Sequence, residues 1–307
     1  MLAFLIRRVL GMVVVLFAVS IITFVMMLAT PGGPWDTAAS RPVSAAVKKL
    51  IIEKYGGNKT PIQRYIDYMS GVVRGDLGPS FTSTRNVNQQ ISDGFPLSAA
   101  LGVAAVLISL GLGIPFGLLA ALRQNSWIDQ GAMFLVTIGV SVPRFVAAIA
   151  GIVIFGVNLH ILPTQFQRDQ PLSWIMPVAF LALGPLALVL RLTRNATLEV
   201  LSEDYVRTAR AKGLPSQTVN FQHVLRNALL PVVTLVGIVT ANLITGTFII
   251  ESIFAVPGLG RASIQSVNRR DYGLLLGVTL FYTLIIAIAN LLVDLTYSFI
   301  DPRIARN

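Results

Sequence analysis

Six stretches of this chain are too long and too apolar to fold in water. They run over Val9–Thr30, Pro96–Leu122, Gly131–Leu159, Trp174–Leu190, Ala228–Ile250 and Leu274–Ile300. Each reaches the roughly 17–25 residues that a helix needs to cross a bilayer. The chain has 307 residues, of which 54% are hydrophobic and 12% charged, against about 25% charged in a soluble domain. The expectation is an all-α membrane protein with six transmembrane helices. The first stretch follows Arg7 and Arg8 as a signal peptide would, but its apolar run is too long and Leu28 to Gly33 is a poor cleavage site, so it reads as a retained helix.

The net charge of +10 is then explained by topology and not by nucleic acid, for which no basic patch interleaved with aromatics is present. With the N-terminus inside, the inner segments carry Arg7, Arg8, Arg123, Arg191, Arg194, Arg207, Arg210, Lys212, Arg226, Arg303 and Arg306. The short outer loops carry only Arg168, Arg261, Arg269 and Arg270. This imbalance places both termini in the cytoplasm. The domain plan is a tail and first helix over residues 1–30, an extracytoplasmic helical loop over 31–95, and a five-helix core over 96–307. The longest inner loop of that core lies at about 191–227.

Cysteine is absent, which removes disulfides and thiolate metal sites. His160 and His223 are isolated, and no metal site is expected. No Gly-Lys-Ser/Thr phosphate loop occurs, so no nucleotide is expected to bind this chain. Gly111, Gly113 and Gly117 lie within an apolar stretch and read as close helix packing.

In the inner loop, Asp204 to Pro215 reads DYVRTARAKGLP. Ser202 is expected as N-cap, with Glu203 and Asp204 in the first turn and Arg210 and Lys212 in the last, an order that suits the helix dipole. Gly213 falls at the position after the C-cap, where a left-handed residue ends a helix, and Pro215 follows. Ser216 is expected to cap a second helix through Phe221, Val224 and Leu225. Tyr205, Val206 and Ala209 share one face, opposite Arg207 and Arg210. Positive-inside topology accounts for the cations; the caps and the apolar face suggest that this helix docks on another protein.

The outer segment carries its own amphipathic patterns. Val43, Ala46, Val47, Leu50 and Ile51 form one stripe, closed by Gly56 and Gly57. Thr60 and Pro61 open a second helix with Ile62, Tyr65, Ile66 and Met69 on one face. The segment reads as a cap on the outer helix ends and as a docking surface for a partner. Arg74 and Asp76 belong to it, and Pro257 with Gly258 marks a sharp turn in a second outer loop.

Polar groups within the spans are few. Asp294 at a helix centre would cost about 2.5–3.5 kcal/mol, less near the inner end of the last helix, where a pairing or capping role is expected. Asn242 and Asn290 are candidates for interhelical hydrogen bonds or pore lining. Arg144 is placed near the inner end of the third helix, where its side chain would snorkel to the interface; the alternative is that it faces a pore and meets a carboxylate.

The run Tyr205 to Gly213 resembles the cytoplasmic "EAA" loop of ABC importer permeases, most closely the oligopeptide/dipeptide branch. Arg74-Gly75-Asp76-Leu77-Gly78, Gly117 to Arg123 with Trp127 and Asp129, Ser141-Val142-Pro143 with Phe145, Glu251 to Arg261, Asn290 to Asp294 and Asp301-Pro302-Arg303 follow the family order along nearly the whole chain. Arg144 departs from it, standing where a small polar residue is usual, and Gly273 stands where proline is frequent. The resemblance implies a type I ABC importer permease fold with a small helical extracytoplasmic insertion. It implies a second homologous permease, two cytoplasmic ATPase subunits that bind ATP and Mg, an extracytoplasmic peptide-binding receptor, and a place in the bacterial inner membrane. Tyr205, Arg207, Ala209, Arg210, Lys212 and Gly213 are its ATPase-coupling residues, and the chain itself is no enzyme. Nickel-chelate, opine and glutathione permeases share the pattern. An ion-coupled carrier is the third reading, against which stands the lack of paired mid-membrane acids.

Overall fold

The computed structural model describes residues 2–29, 59–244 and 248–300. The expected stripe at Val43 to Ile51, closed by Gly56 and Gly57, lies outside these residues. The described elements are α1 (Leu2–Ala29), α2 (Pro61–Val73), α3 (Val87–Leu122), α4 (Trp127–Ser141), α5 (Arg144–Gly151) continuing as a π-helix (Ile152–Asn158), α6 (Leu172–Leu201), α7 (Asp204–Ala211), a turn at Ser216–Thr218 continuing as a second π-helix (Val219–Leu225), α8 (Arg226–Ile244), α9 (Phe248–Ile253), α10 (Leu259–Asn268) and α11 (Tyr272–Ile300).

Among the described residues four helices are long and apolar enough to span a membrane: Leu5–Ala29, Val87–Leu122, Leu172–Leu201 and Tyr272–Leu292. A fifth span exists if Trp127–Ser141 and Arg144–Asn158, bent by 101°, form one crossing. The expected segment Ala228–Ile250 is helical over α8 but runs through residues 245–247, which are outside the description.

The third segment is not the continuous helix expected over Gly131–Leu159. Pro143 has no N–H to donate and its ring disfavours helical backbone at the preceding residue, and Val142 accordingly sits at φ −84°, ψ 121°. The chain turns there and α5 starts afresh at Arg144. In α6, by contrast, Pro177 and Pro185 are both buried inside a continuous helix.

The chain divides into two compact units, Met1–Ser98 with Pro257–Ile288, and Ala99–Val256 with Ala289–Asn307. In the first, Thr60 and Pro61 open α2 as expected: the Thr60 hydroxyl accepts from the Gln63 N–H while the Gln63 side chain accepts from the Thr60 N–H. The expected face of α2 is only partly used. Tyr65 shares a 2.7 Å hydroxyl–hydroxyl bond with Ser20 and meets the Phe24 ring edge-on at 5.2 Å, whereas Ile62 and Ile66 are exposed.

The core of this unit packs Val87 and Ile91 of α3 against Leu259 of α10 and Leu274, Val278 and Tyr282 of α11. Asp271 binds the strand-like loop before α3 to the start of α11. Its carboxylate accepts from the Ser80 hydroxyl, the Thr82 hydroxyl (2.7 Å) and the N–H groups of Phe81 (2.9 Å), Thr82 (3.2 Å) and Leu274 (3.1 Å). At Gly273 a Cβ would collide with the Pro79 carbonyl, so close backbone approach requires glycine there.

In the second unit α6 is the axis on which the others pack. Ser109 of α3 donates to the Ala182 carbonyl at 3.2 Å. At Gly113 a Cβ would lie 2.8 Å from Val189, and at Gly117 it would lie 2.7 Å from the Leu190 carbonyl oxygen. The two glycines therefore let α3 lie backbone to backbone on α6, while Gly111 has nothing within 4 Å. Gly117→Leu is expected to lower stability by about 1–3 kcal/mol through overpacking, with Gly111→Ala near neutral, as read by thermal unfolding in detergent.

Candidate functional site

The basic loop is built from the end of α6 onward. Ser202 is the C-cap of α6, not the N-cap of the next helix: its backbone is helical (φ −83°, ψ −11°) and its hydroxyl donates to the Glu199 carbonyl at 2.7 Å. The extended residue is Glu203 (φ −70°, ψ 144°), which caps α7 without a side-chain bond. The shift of one residue arises because α6 extends to Leu201 and takes Ser202 for its own last turn.

The C-terminus of α7 matches expectation at Gly213. Lys212 is the C-cap and Gly213 has φ +75°. The Gly213 N–H donates to the Arg210 carbonyl (2.9 Å) and the Leu214 N–H to the Ala209 carbonyl (3.4 Å), the paired bonds of a Schellman ending. Pro215, not Ser216, occupies the cap of the next turn, because Ser216 is already helical. The π-helix then carries the chain into α8.

The apolar face of α7 is occupied within the chain. Val206 and Ala209 are buried against Val219 and Val224 of the π-helix, with Val200 and Leu201 of α6 alongside. Two of the three residues of the expected face are thus spent within the chain, because Gly213 reverses the chain and the helix–turn–helix buries the small valine–alanine cluster, while Tyr205 stays exposed. Ala209 is part of this packing. What faces outward is Tyr205, Arg207, Arg210, Lys212, Gly213 and Leu214. The Asn227 amide donates to the Tyr205 hydroxyl (2.8 Å) and to the His223 carbonyl (2.9 Å), tying α7 to α8. Arg207 and Asp204 approach to 3.5 Å but are 73% and 96% exposed, so their attraction is screened and leaves the guanidinium available.

Above this loop α6 is held by an ion pair that sequence reasoning did not single out as functional. Arg194 Nε lies 2.5 Å and Nη2 2.8 Å from the two carboxylate oxygens of Asp129 at the start of α4. Asp129 also accepts from the Asn125 N–H at 3.0 Å, and Asn125 takes φ +63° in the turn. The side chains are 17% and 4% exposed. The two residues stand 65 positions apart, so no local pattern announces the pair.

Arg144 is not near the inner end of the third segment. It is the first residue after the break, midway along Trp127–Asn158, and its guanidinium lies over Gly184 of α6, where a Cβ would come within 2.6 Å of Nη2. Asn290 is exposed on α11, and the side chains of Asn242 and Asp294 lie outside the described residues. Arg74 caps α2 and Asp76 spends its carboxylate on the Gly78 N–H (2.9 Å) within a turn whose Gly75 and Gly78 are both left-handed. Pro257 precedes Gly258, the extended cap of α10 (φ −98°, ψ 177°), whose backbone passes close to Gly94. No hydrogen bond or ion pair joins Arg74 or Asp76 to Pro257 or Gly258 among the described residues. No group of three His, Cys, Asp or Glu suited to a metal ion occurs among the described residues either.

Several long apolar helices interrupted by a short basic helix–turn–helix mark a multi-span membrane protein. The chain belongs to the family described as "binding-protein-dependent transport system inner membrane component", which matches residues 113–306, and the companion N-terminal description matches residues 1–102. It is 40% identical over 302 residues to the dipeptide transport system permease protein DppB of Bacillus subtilis, covering 98% of this chain and 97% of that one. It is 37% identical over 306 residues to the oligopeptide transport system permease protein OppB of Escherichia coli K12, covering 99% of both. A solved structure, an amino acid ABC transporter with histidines, matches the fold with TM-score 0.51 at 20% identity, covering 68% of this chain and 92% of that one.

Proposed function

We propose that this chain is a permease subunit of an ATP-driven importer of oligopeptides or dipeptides. It forms the translocation path with a second, related permease, receives cargo from an extracytoplasmic binding protein, and is driven by two ATPase subunits on the cytoplasmic side, where both termini lie. ATP and Mg belong to those subunits, and this chain hydrolyses nothing. The cargo class is that of the dipeptide and oligopeptide permeases that this chain resembles. The observation that carries the coupling role is α7 itself: its apolar face is seated on the π-helix while Tyr205, Arg207, Arg210 and Lys212 face outward.

A helix anchored on one face and charged on the other acts as a rigid handle. Force applied to it passes into α6 through Leu201 and into α8 through Asn227, with little lost to local unfolding. The test is co-expression with the neighbouring transport subunits. ATPase subunits co-purifying in equal amounts, with ATP-dependent peptide uptake in proteoliposomes, support the reading. Uptake driven by protons or sodium through this chain alone overturns it. Reversing charge at both Arg207 and Arg210 is expected to weaken ATPase binding about three- to tenfold, more at low salt than at high, measured by titration of the purified subunits.

A further inference from the structure

Arginine stays charged at any physiological pH, and a charge within a membrane span must find water or a counter-charge. Arg144 has neither a salt bridge nor a hydrogen-bond acceptor among the described residues, although it is exposed. No acidic residue stands between Asp129 and Asp169, nor from there to Glu199, so the half-helix carrying Arg144 and the part of α6 beneath it hold no carboxylate. By residue number it stands midway along Trp127–Asn158, away from either end of that bent pair.

The surroundings are built for this side chain. The break at Val142–Pro143 places it at the first turn of α5, and the missing side chain of Gly184 in α6 leaves room for the guanidinium. Any larger residue at 184 would push it off, since a Cβ there would stand 2.6 Å from Nη2 and 2.9 Å from Nε. A planar guanidinium held against one helix presents its remaining N–H donors away from that helix, in the fork that matches a carboxylate.

We infer that Arg144, seated on Gly184 at the break of the third segment, receives the carboxylate of the cargo during its passage. The inference rests on the peptide-importer reading and assigns one residue of this chain to recognition of the peptide's free C-terminus. A carboxylate supplied by the second permease is the competing occupant.

The experiment uses the full complex in proteoliposomes, with receptor saturated by either of two labelled tripeptides of uncharged side chains, one a free acid and one its C-terminal amide. The wild type is expected to import the free acid faster. Arg144→Gln is expected to lower the ratio of free-acid to amide uptake about tenfold, the size of one charge-assisted contact. Arg144→Lys keeps the charge without the fork and is expected to retain part of the preference. An unchanged ratio in Arg144→Gln overturns the assignment. So does an equal fall for both peptides with reduced recovery of the second permease, which identifies a subunit contact. Failure of the wild-type complex to import either peptide overturns the importer reading and this inference with it, whereas uptake indifferent to the C-terminal group overturns the Arg144 assignment alone.

Discussion

Replacing Gly213 with valine is expected to leave the permease inserted and folded, and to separate ATP hydrolysis from transport. Gly213 takes φ +75°, a conformation that costs an L-residue about 1–2 kcal/mol, and more for a β-branched one. Nothing lies within 4 Å of a Cβ built there, so the penalty is backbone strain alone and no neighbour is displaced. Relief of that strain opens the Schellman bonds from Gly213 and Leu214 to Arg210 and Ala209. With the turn loosened, α7 no longer holds Val206 and Ala209 against Val219 and Val224, and closure of an ATPase subunit moves the helix without moving α6 and α8. The expected result is hydrolysis near the wild-type rate with peptide uptake reduced at least tenfold. Gly213→Asn is expected to keep most uptake, because asparagine tolerates the left-handed region. Uptake by the valine variant equal to wild type counts against a coupling role for this turn.

Removing the Asp129 carboxylate is expected to have the largest effect on stability. Asp129→Ala leaves the Arg194 guanidinium mostly buried and uncompensated, and takes the acceptor from the Asn125 N–H. Breaking a buried pair from one side costs about 3–5 kcal/mol. Replacing both members by apolar residues of similar volume, Asp129→Leu with Arg194→Met, is expected to recover much of that loss, because no charge is then stranded. Thermal unfolding of the detergent-purified permease separates the cases. If the single and double variants unfold at the same temperature, the pair does not hold α4 to α6. The pair lies in the half of α6 that leads into α7, so its loss is also expected to lower coupling in whatever protein survives.

Much of the fold is legible in the sequence because its strongest signals are local. A run of apolar residues has one way to satisfy its backbone in lipid, so α1, α3, α6 and α11 follow from composition and length. Gly213 with Pro215 marks a helix end, and Thr60 with Pro61 a helix start, because caps are read from a few adjacent residues. The break at Pro143 was open to the same reasoning. An apolar run on both sides of a proline, however, also fits one long helix, as α6 demonstrates at Pro177 and Pro185. What decides between the two outcomes is whether neighbouring helices re-satisfy the freed backbone groups, and that is a tertiary fact.

The candidate site divides along the same line. Arg207, Arg210 and Lys212 announce themselves as cations in a greasy chain, and their outward position follows from solvation. The fate of the apolar face of α7 is not local. Val206 and Ala209 carry the same pattern whether they dock on another subunit or on Val219 and Val224, and only the reversal at Gly213 brings the second pair into reach. Arg144 shows the opposite error: its charge led to the interface by analogy with terminal arginines, whereas the break and the room left at Gly184 hold it midway.

The sequence by itself determined that this chain lives in a membrane and that a short basic helix ends at Gly213. These rest on solvation and backbone sterics, which act residue by residue. The tertiary structure alone decided that Asp129 meets Arg194, that Asp271 gathers the loop at Ser80 to Thr82, that the face of α7 closes on the π-helix, and that Arg144 lies over Gly184. Each joins residues far apart in the chain, and contacts of that kind are chosen by packing and charge pairing in three dimensions, where no local pattern reaches.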